Sequence, residues 1–197
     1  MTYLRRLNPA AHLAAALCLT VLTACGTTEL ENPPTPMGNF ALGLNVVVAD
    51  NVQKGPVTRE VTPDQWEASM SKAMADRFGR YEGDKLFNFG IGVDGYALAP
   101  PGIPVVAAPK SALILTVNVW DDAAQKLLTD EGHRITVVED FTADSVIGSG
   151  WSQSKEQQMD KLAFKAALAI QNWLLADHPD WFGLPPKGTA DAAAAAN

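Results

Sequence analysis

The sequence predicts an α+β fold, a two-layer sandwich in which a mostly antiparallel sheet of four or five strands carries two helices on one face. The predicted order of elements is β-α-β-β-β-α. Three observations support it: apolar residues alternate with small or polar ones in several segments, two amphipathic segments begin with helix-capping residues, and 197 residues suit one domain. A composition of 47% hydrophobic and 19% charged residues excludes wholesale disorder.

The strands are predicted from alternation with a period of two residues. The first strand is expected to present one apolar face made of Phe40, Leu42, Leu44, Val46 and Val48. Further strands are predicted at residues 87–93, 113–119 and 135–141, and a short fifth strand at residues 145–150. The connection from Asp121 to Gly132 is either a long hairpin loop or one helical turn, and the pattern does not decide between them.

The two helices are predicted from their starts. Thr62 with Gln65 three residues later forms a capping box, and Ser154 with Gln157 forms a second one. The apolar spacing that follows predicts a first helix of about four turns and a second of about 22 residues, both packed on the sheet.

The N-terminal residues predict a secretory signal. Arg5 and Arg6 precede an apolar run at residues 10–21, which is too short to span a membrane. The tetrapeptide from Leu22 to Cys25 resembles the lipobox of bacterial lipoproteins. The alternative is an ordinary signal peptide with a chance cysteine.

The lipobox resemblance implies that the leader is cut before Cys25, whose sulfur and new amino group are then acylated. Because Gly26 follows, rather than an aspartate, the resemblance further implies an outer-membrane lipoprotein that faces the periplasm. We therefore divide the chain into a signal peptide (1–24), a lipidated flexible tether (25–38), an α/β domain (39–183) and a disordered alanine-rich tail (184–197).

Charge and residue counts limit the function further. The net charge is −7, and loss of Arg5 and Arg6 with the leader would leave 13 basic and 22 acidic residues, a charge of −9. Such a surface argues against nucleic acid, which is bound through Lys and Arg. Cys18 would leave with the leader, so no free thiol would remain. His133 and His178 would be the remaining histidines, each alone in the sequence, and we predict no cofactor and no metal.

Candidate chemical motifs are weak. Residues 90–95 match the G-x-G-x-x-G pattern of dinucleotide sites, but no helix is predicted directly after them, so we expect glycines in a twisted strand. Acidic pairs at 121/122, 130/131 and 139/140 are expected to be solvated, and His133 to be a surface residue. No catalytic elbow surrounds Ser145, Ser149, Ser152 or Ser154. Trp173, Trp181 and Phe182 either close the core or contact a membrane or a partner.

The body also resembles a small family of uncharacterised lipoproteins from Gram-negative bacteria. The resemblance rests on the segment Ile147–Met159 and on Trp181-Phe182-Gly183, and it extends over most of residues 39–183. That family has no assigned activity, so the resemblance implies no functional residue besides Cys25.

We therefore predict a non-catalytic binding or scaffolding lipoprotein, held to a lipid bilayer through acylated Cys25 and binding an unknown envelope protein. One alternative is an envelope hydrolase that gathers Asp94, Asp121 and Glu139 in a cleft. Another is a carrier of an amphipathic ligand, which would need a cavity between the helices and the sheet.

Overall fold

The structure is a computed structural model that describes residues 28–100, 110–139 and 153–186. Several predictions lie outside these ranges: the leader and Cys25, the strand at residues 145–150, Asp140, Phe141, Ser145, Ser149, Ser152 and most of the tail. The chain divides into two units, Met1–Pro33 and Pro34–Asn197. In the first unit the described element is the short helix α1, Thr28–Glu31.

The second unit contains the sandwich. Its strands are β1 (Ala41–Val48), β2 (Gln53–Lys54), β3 (Leu86–Ala97), β4 (Ala112–Asp121), β5 (Lys126–Leu127) and β6 (His133–Val138). Its helices are α2 (Pro63–Phe78) and α3 (Lys155–Asp177), and a 3₁₀ helix (Pro179–Phe182) follows α3. The α+β class and the layered arrangement are as predicted. None of the helices that the structure describes is both long enough and apolar enough to cross a bilayer.

The sheet is mixed but mostly antiparallel, as predicted, since three of the five strand pairings among the described residues are antiparallel. β4 pairs antiparallel with β3, β5 and β6, but β1 and β2 both pair parallel with β3. The reason is the connection: α2 lies between β1 and β3, and a helical crossover returns the chain so that the next strand runs in the same direction. The two-residue strands β2 and β5 are too short to produce an alternating pattern.

In the first strand, the apolar residues after position 42 face the opposite side of the sheet from the one predicted. The pairing of β1 with β3 shifts between Leu42 and Asn45, so β1 has one more residue than β3 over this interval. Such a bulge reverses which residues face the core. Phe40 is buried, as expected, but after the bulge Val47 points inward and Val46 points outward.

The central strands match their predicted faces. Residues 87, 89, 91 and 93 of β3 and residues 113, 115, 117 and 119 of β4 are all buried. Helices α2 and α3 cover this inner face with Trp66, Met70, Met74, Leu162, Ala166 and Ile170. Both capping boxes are present: Thr62 accepts from Gln65 N–H and Ser154 accepts from Gln157 N–H, and each glutamine side chain accepts from the N–H of its cap.

The connection after β4 is a hairpin. Asp121 and Trp120 pair with Lys126 and Leu127, and the chain turns through Gln125, which has a positive φ of 49°. The structure thus settles the choice left open by the sequence: residues 121–132 are a loop with a short return strand rather than a helical turn.

Candidate functional site

The outer face of the sheet, opposite the helices, carries an exposed aliphatic strip on β1. The strip consists of Leu44, Val46 and Val48, whose exposed fractions are 66%, 51% and 47%. β1 lies at the edge of the sheet and contains no charged residue and no proline. Edge strands of soluble proteins are usually protected by such residues, so the strip has the character of a contact surface.

Two glycines of β3 lie beside the strip on the outer face. Val46 pairs with Gly90 and Val48 with Gly92, so the two glycines of β3 extend the outer face without side chains. Gly90 makes room for the Trp120 ring, because a Cβ there would lie 2.9 Å from that ring. Among the described residues, a Cβ on Gly92 would lie 3.5 Å from the Asp94 carboxylate and 3.9 Å from the Thr116 carbonyl oxygen, so a small side chain would fit there in ordinary van der Waals contact.

These glycines belong to the G-x-G-x-x-G pattern, and their placement confirms the prediction of a strand. Gly90, Gly92 and Gly95 all lie within β3, and the pairing with β4 shifts between Val93 and Gly95. A dinucleotide site needs a helix that begins directly after the glycines. Here the strand continues to Ala97, so the pattern serves the sheet.

Hydrogen-bonded polar side chains lie on either side of the two glycines. The Thr116 hydroxyl donates to Asp94 at 2.7 Å, next to Gly92. On the other side the Asn88 amide accepts from Leu44 N–H at 2.7 Å and donates to Asp122 at 2.8 Å, which holds the bulge of β1 in place. The candidate site is therefore an apolar surface with satisfied polar groups at its ends.

The structure does not bring the predicted catalytic acids together. Asp94 lies on the outer face beside Thr116, whereas Asp121 lies at the end of β4, where it is buried. Glu139 follows β6, and its N–H donates to Ser111, just before the start of β4. Asp121 and Glu139 are thus at opposite ends of a strand of ten residues, about 30 Å apart. The predicted acidic cleft is wrong.

Asp121 has a structural role instead. It accepts from Lys85 at 2.8 Å and from Ala124 N–H at 3.0 Å, and so fixes the turn after β4. The hydrogen bonds from Lys85 and from the Ala124 amide lower the pKa of the Asp121 carboxyl. Asp121, which was expected to be solvated together with Asp122, is therefore a buried residue in an ion pair with Lys85.

A second candidate surface is a cluster of four rings that we call the ring cluster: His133, Trp173, His178 and Trp181. His133 stacks on Trp173 and His178 stacks on Trp181, each pair with ring centroids 3.9 Å apart. The Trp173 ring is nearly perpendicular to the His178 and Trp181 rings, with centroid distances of 5.2 and 6.4 Å. His133 and His178 stand alone in the sequence, and the fold brings both into one cluster.

The ring cluster was partly readable from the sequence. Trp173, His178 and Trp181 lie within nine residues at the end of α3, whereas His133 joins from β6. The contact between His133 and Trp173 depends on how α3 packs across the sheet, and no local sequence pattern predicts that packing. Of the aromatic residues singled out from the sequence, Phe182 and Trp173 are buried, and Trp181 is partly exposed at the surface.

His133 is expected to make stability depend on pH. Burial lowers the pKa of His133 below 6.5, Asp177 opposes the shift and His178 adds to it. The unfolded chain then binds a proton more readily than the folded one. The stabilisation is present above pH 6.5 and is lost as the pH falls through the lower pKa of the folded state.

A His133→Phe variant keeps a ring on Trp173 but cannot be protonated. We expect urea unfolding at pH 7.5 and 5.5 to show a smaller loss of stability in the variant than in the wild type. An equal loss in both proteins would contradict this role of His133.

Within the described ranges, no group of three or more His, Cys, Asp or Glu side chains is placed to hold a metal ion. Of the four serines considered in the sequence, Ser154 lies within the described residues, and it is the N-cap of α3. Cys25, the predicted lipid attachment site, lies outside the described residues.

No protein-family model and no curated protein sequence matches the chain. Among solved structures, a DUF330 protein from Xanthomonas campestris is 16% identical, with 72% of this chain and 91% of that chain covered and a TM-score of 0.40. The PelC dodecamer from Paraburkholderia phytofirmans is 9% identical, with coverages of 67% and 91% and a TM-score of 0.33. A minor lipoprotein from Acinetobacter baumannii is 15% identical, with coverages of 64% and 92% and a TM-score of 0.27. Similarities of this size assign neither a family nor a function to the chain.

Proposed function

We propose that this protein is a lipid-anchored, periplasm-facing lipoprotein whose body is a non-catalytic binding module of the cell envelope. The anchor is acylated Cys25, and the outer membrane is its site. The body docks a polypeptide partner on the aliphatic strip of β1. The observation that carries the proposal is the exposure of Leu44, Val46 and Val48 side by side on an uncharged edge strand.

The strip is large enough to matter energetically. Full burial of an exposed Val or Leu side chain contributes about 1.5–3 kcal/mol, so covering three that are about half exposed supplies roughly 3 kcal/mol. β1 pairs on one side only with β3 among the described strands, so its other edge can add backbone hydrogen bonds to an extended partner segment. A polypeptide with its own alternating apolar residues therefore fits this surface.

The two alternatives gain no support from the described residues. The hydrolase required Asp94, Asp121 and Glu139 in one cleft, and they lie apart. The carrier of an amphipathic ligand required a cavity between the helices and the sheet. That layer is filled by fully buried side chains such as Phe40, Trp66 and Phe78.

An experiment in intact cells tests both the lipid anchor and the aliphatic strip. A photo-reactive residue in place of Val48 is expected to give a discrete crosslinked product in the membrane fraction. Val46→Lys should reduce that product about tenfold or more, since an ammonium placed in an apolar contact costs more than about 1.4 kcal/mol. Cys25→Ala should move the protein out of the membrane fraction.

Val57→Lys is the matched control. Val57 is 49% exposed, like the residues of the strip, but it lies in the loop after β2. The control should leave the crosslink unchanged. Membrane retention of the Cys25→Ala variant would refute the anchor, and equal crosslinking of the two lysine variants would refute the strip.

A further inference from the structure

The chain enters the body beside the ring cluster. Asn39 N–H donates to the Phe182 carbonyl oxygen at 2.9 Å, directly next to Trp181. Met37 is fully buried, and the Tyr81 hydroxyl donates to the Thr35 carbonyl oxygen at 2.8 Å. Residues 35–39 are therefore packed on the body, at the end that carries the rings.

Several contacts hold the entering segment and the neighbouring 3₁₀ helix in place. Gln171 of α3 donates to the Tyr81 hydroxyl, so the segment around Thr35 is linked through Tyr81 to the helix that carries Trp173. Lys85 donates to the Trp181 carbonyl oxygen at 3.3 Å and pairs with Asp121, which fixes the 3₁₀ helix to the sheet. The orientation of the rings relative to the entering chain is thus set by several elements and not by one loop.

The length of the segment between Cys25 and the body limits how far the body can lie from a lipid anchor on Cys25. Nine peptide steps separate Cys25 from Pro34, the first residue of the second unit. Fully extended, they reach about 30 Å at most. If Cys25 carries acyl chains, as proposed above, the end of the body that this segment enters is the end held closest to the bilayer.

The side chains at this end suit the interface between lipid and water. Trp181 and His178 are partly exposed, and each combines an apolar ring with a polar N–H. Tryptophan is enriched at the level of lipid headgroups for this reason. Asp177 and Asp180 lie beside them and oppose anionic lipid, so ring contact rather than net charge must supply the attraction.

We propose that the ring-cluster end of the body rests on the bilayer, with Trp181 and His178 among the phospholipid headgroups. This second contact rests on the proposed anchor and orients the body, so that the aliphatic strip of β1 is presented to partners in a fixed direction.

The test uses the full acylated protein reconstituted in vesicles of phosphatidylethanolamine and phosphatidylglycerol, with or without brominated acyl chains. Bromine quenches tryptophan emission at short range. We expect bromine-dependent quenching in the wild type, and we expect Trp181→Phe to remove most of it. Trp66→Phe is the control, because Trp66 is fully buried against Tyr96 and should not sense the lipid.

The outcomes separate the two proposals. A wild-type protein that floats with the vesicles but shows no quenching overturns the ring contact and leaves the anchor standing. A protein that does not float overturns both. Quenching that survives in Trp181→Phe, or that disappears in Trp66→Phe, also contradicts the assignment, while the wild-type measurement is independent of whether either variant folds.

Discussion

Replacing Phe40 with alanine is expected to lower the free energy of unfolding by about 3–5 kcal/mol. Phe40 is fully buried just before β1, and its ring has neighbours from every layer of the sandwich. Five aromatic rings lie with centroids 5.4–6.2 Å from it: Phe78, Tyr81, Phe87, Phe89 and Phe182. Truncation removes contacts with α2, β3 and the 3₁₀ helix at once and leaves a cavity that a fixed sheet cannot close. Urea unfolding followed by circular dichroism measures the loss.

Leu44→Ala is the matched comparison, because the sequence pattern places Leu44 on the same face as Phe40. The bulge in β1 turns it outward, where it is 66% exposed. We expect its replacement to change stability by no more than about 0.5 kcal/mol. A loss at position 44 as large as that at position 40 would mean that the bulge is absent and the simple alternation holds.

The contrast between the strands shows what alternation alone predicts. β3 and β4 pair along most of their length in a regular ladder, so every second residue faces the helices, as the sequence indicated. The one interruption, between Val93 and Gly95, coincides with a glycine. In β1 the extra residue falls beside Gly43, and a bulge depends on the neighbouring strand as much as on its own residues. The pattern of β1 could not reveal it.

Helix starts were the most predictable feature because they are local. A capping residue and its partner are only three residues apart. The capping boxes of Thr62 with Gln65 and of Ser154 with Gln157 can therefore be predicted from the local sequence alone. The ring cluster is the opposite case. His133 and Trp173 are 40 positions apart, and their stacking follows from how α3 lies on β6. The candidate surfaces were therefore the least predictable part, since both depend on long-range packing.

The second large effect is expected at Gly38, where the chain enters the body. Gly38 has a φ of +58°, and a Cβ added there would lie 2.3 Å from the Phe182 carbonyl oxygen. That oxygen accepts the hydrogen bond from Asn39, so it cannot move away without breaking the contact that closes the entry point. Gly38→Ala combines left-handed strain of about 1–2 kcal/mol with a backbone clash, and we expect a loss of roughly 3 kcal/mol.

Gly183→Ala separates the two contributions. Gly183 also has a positive φ, +73°, but no atom of the described residues lies within 4 Å of the added Cβ. Its replacement should therefore cost only the strain, about 1 kcal/mol. Chemical unfolding of both variants measures the difference. Because the excess at Gly38 arises only if residues 38–39 are packed against Phe182, equal losses at the two positions would show that this segment is not part of the folded body, and the argument that the ring cluster marks the chain entry would fail with it.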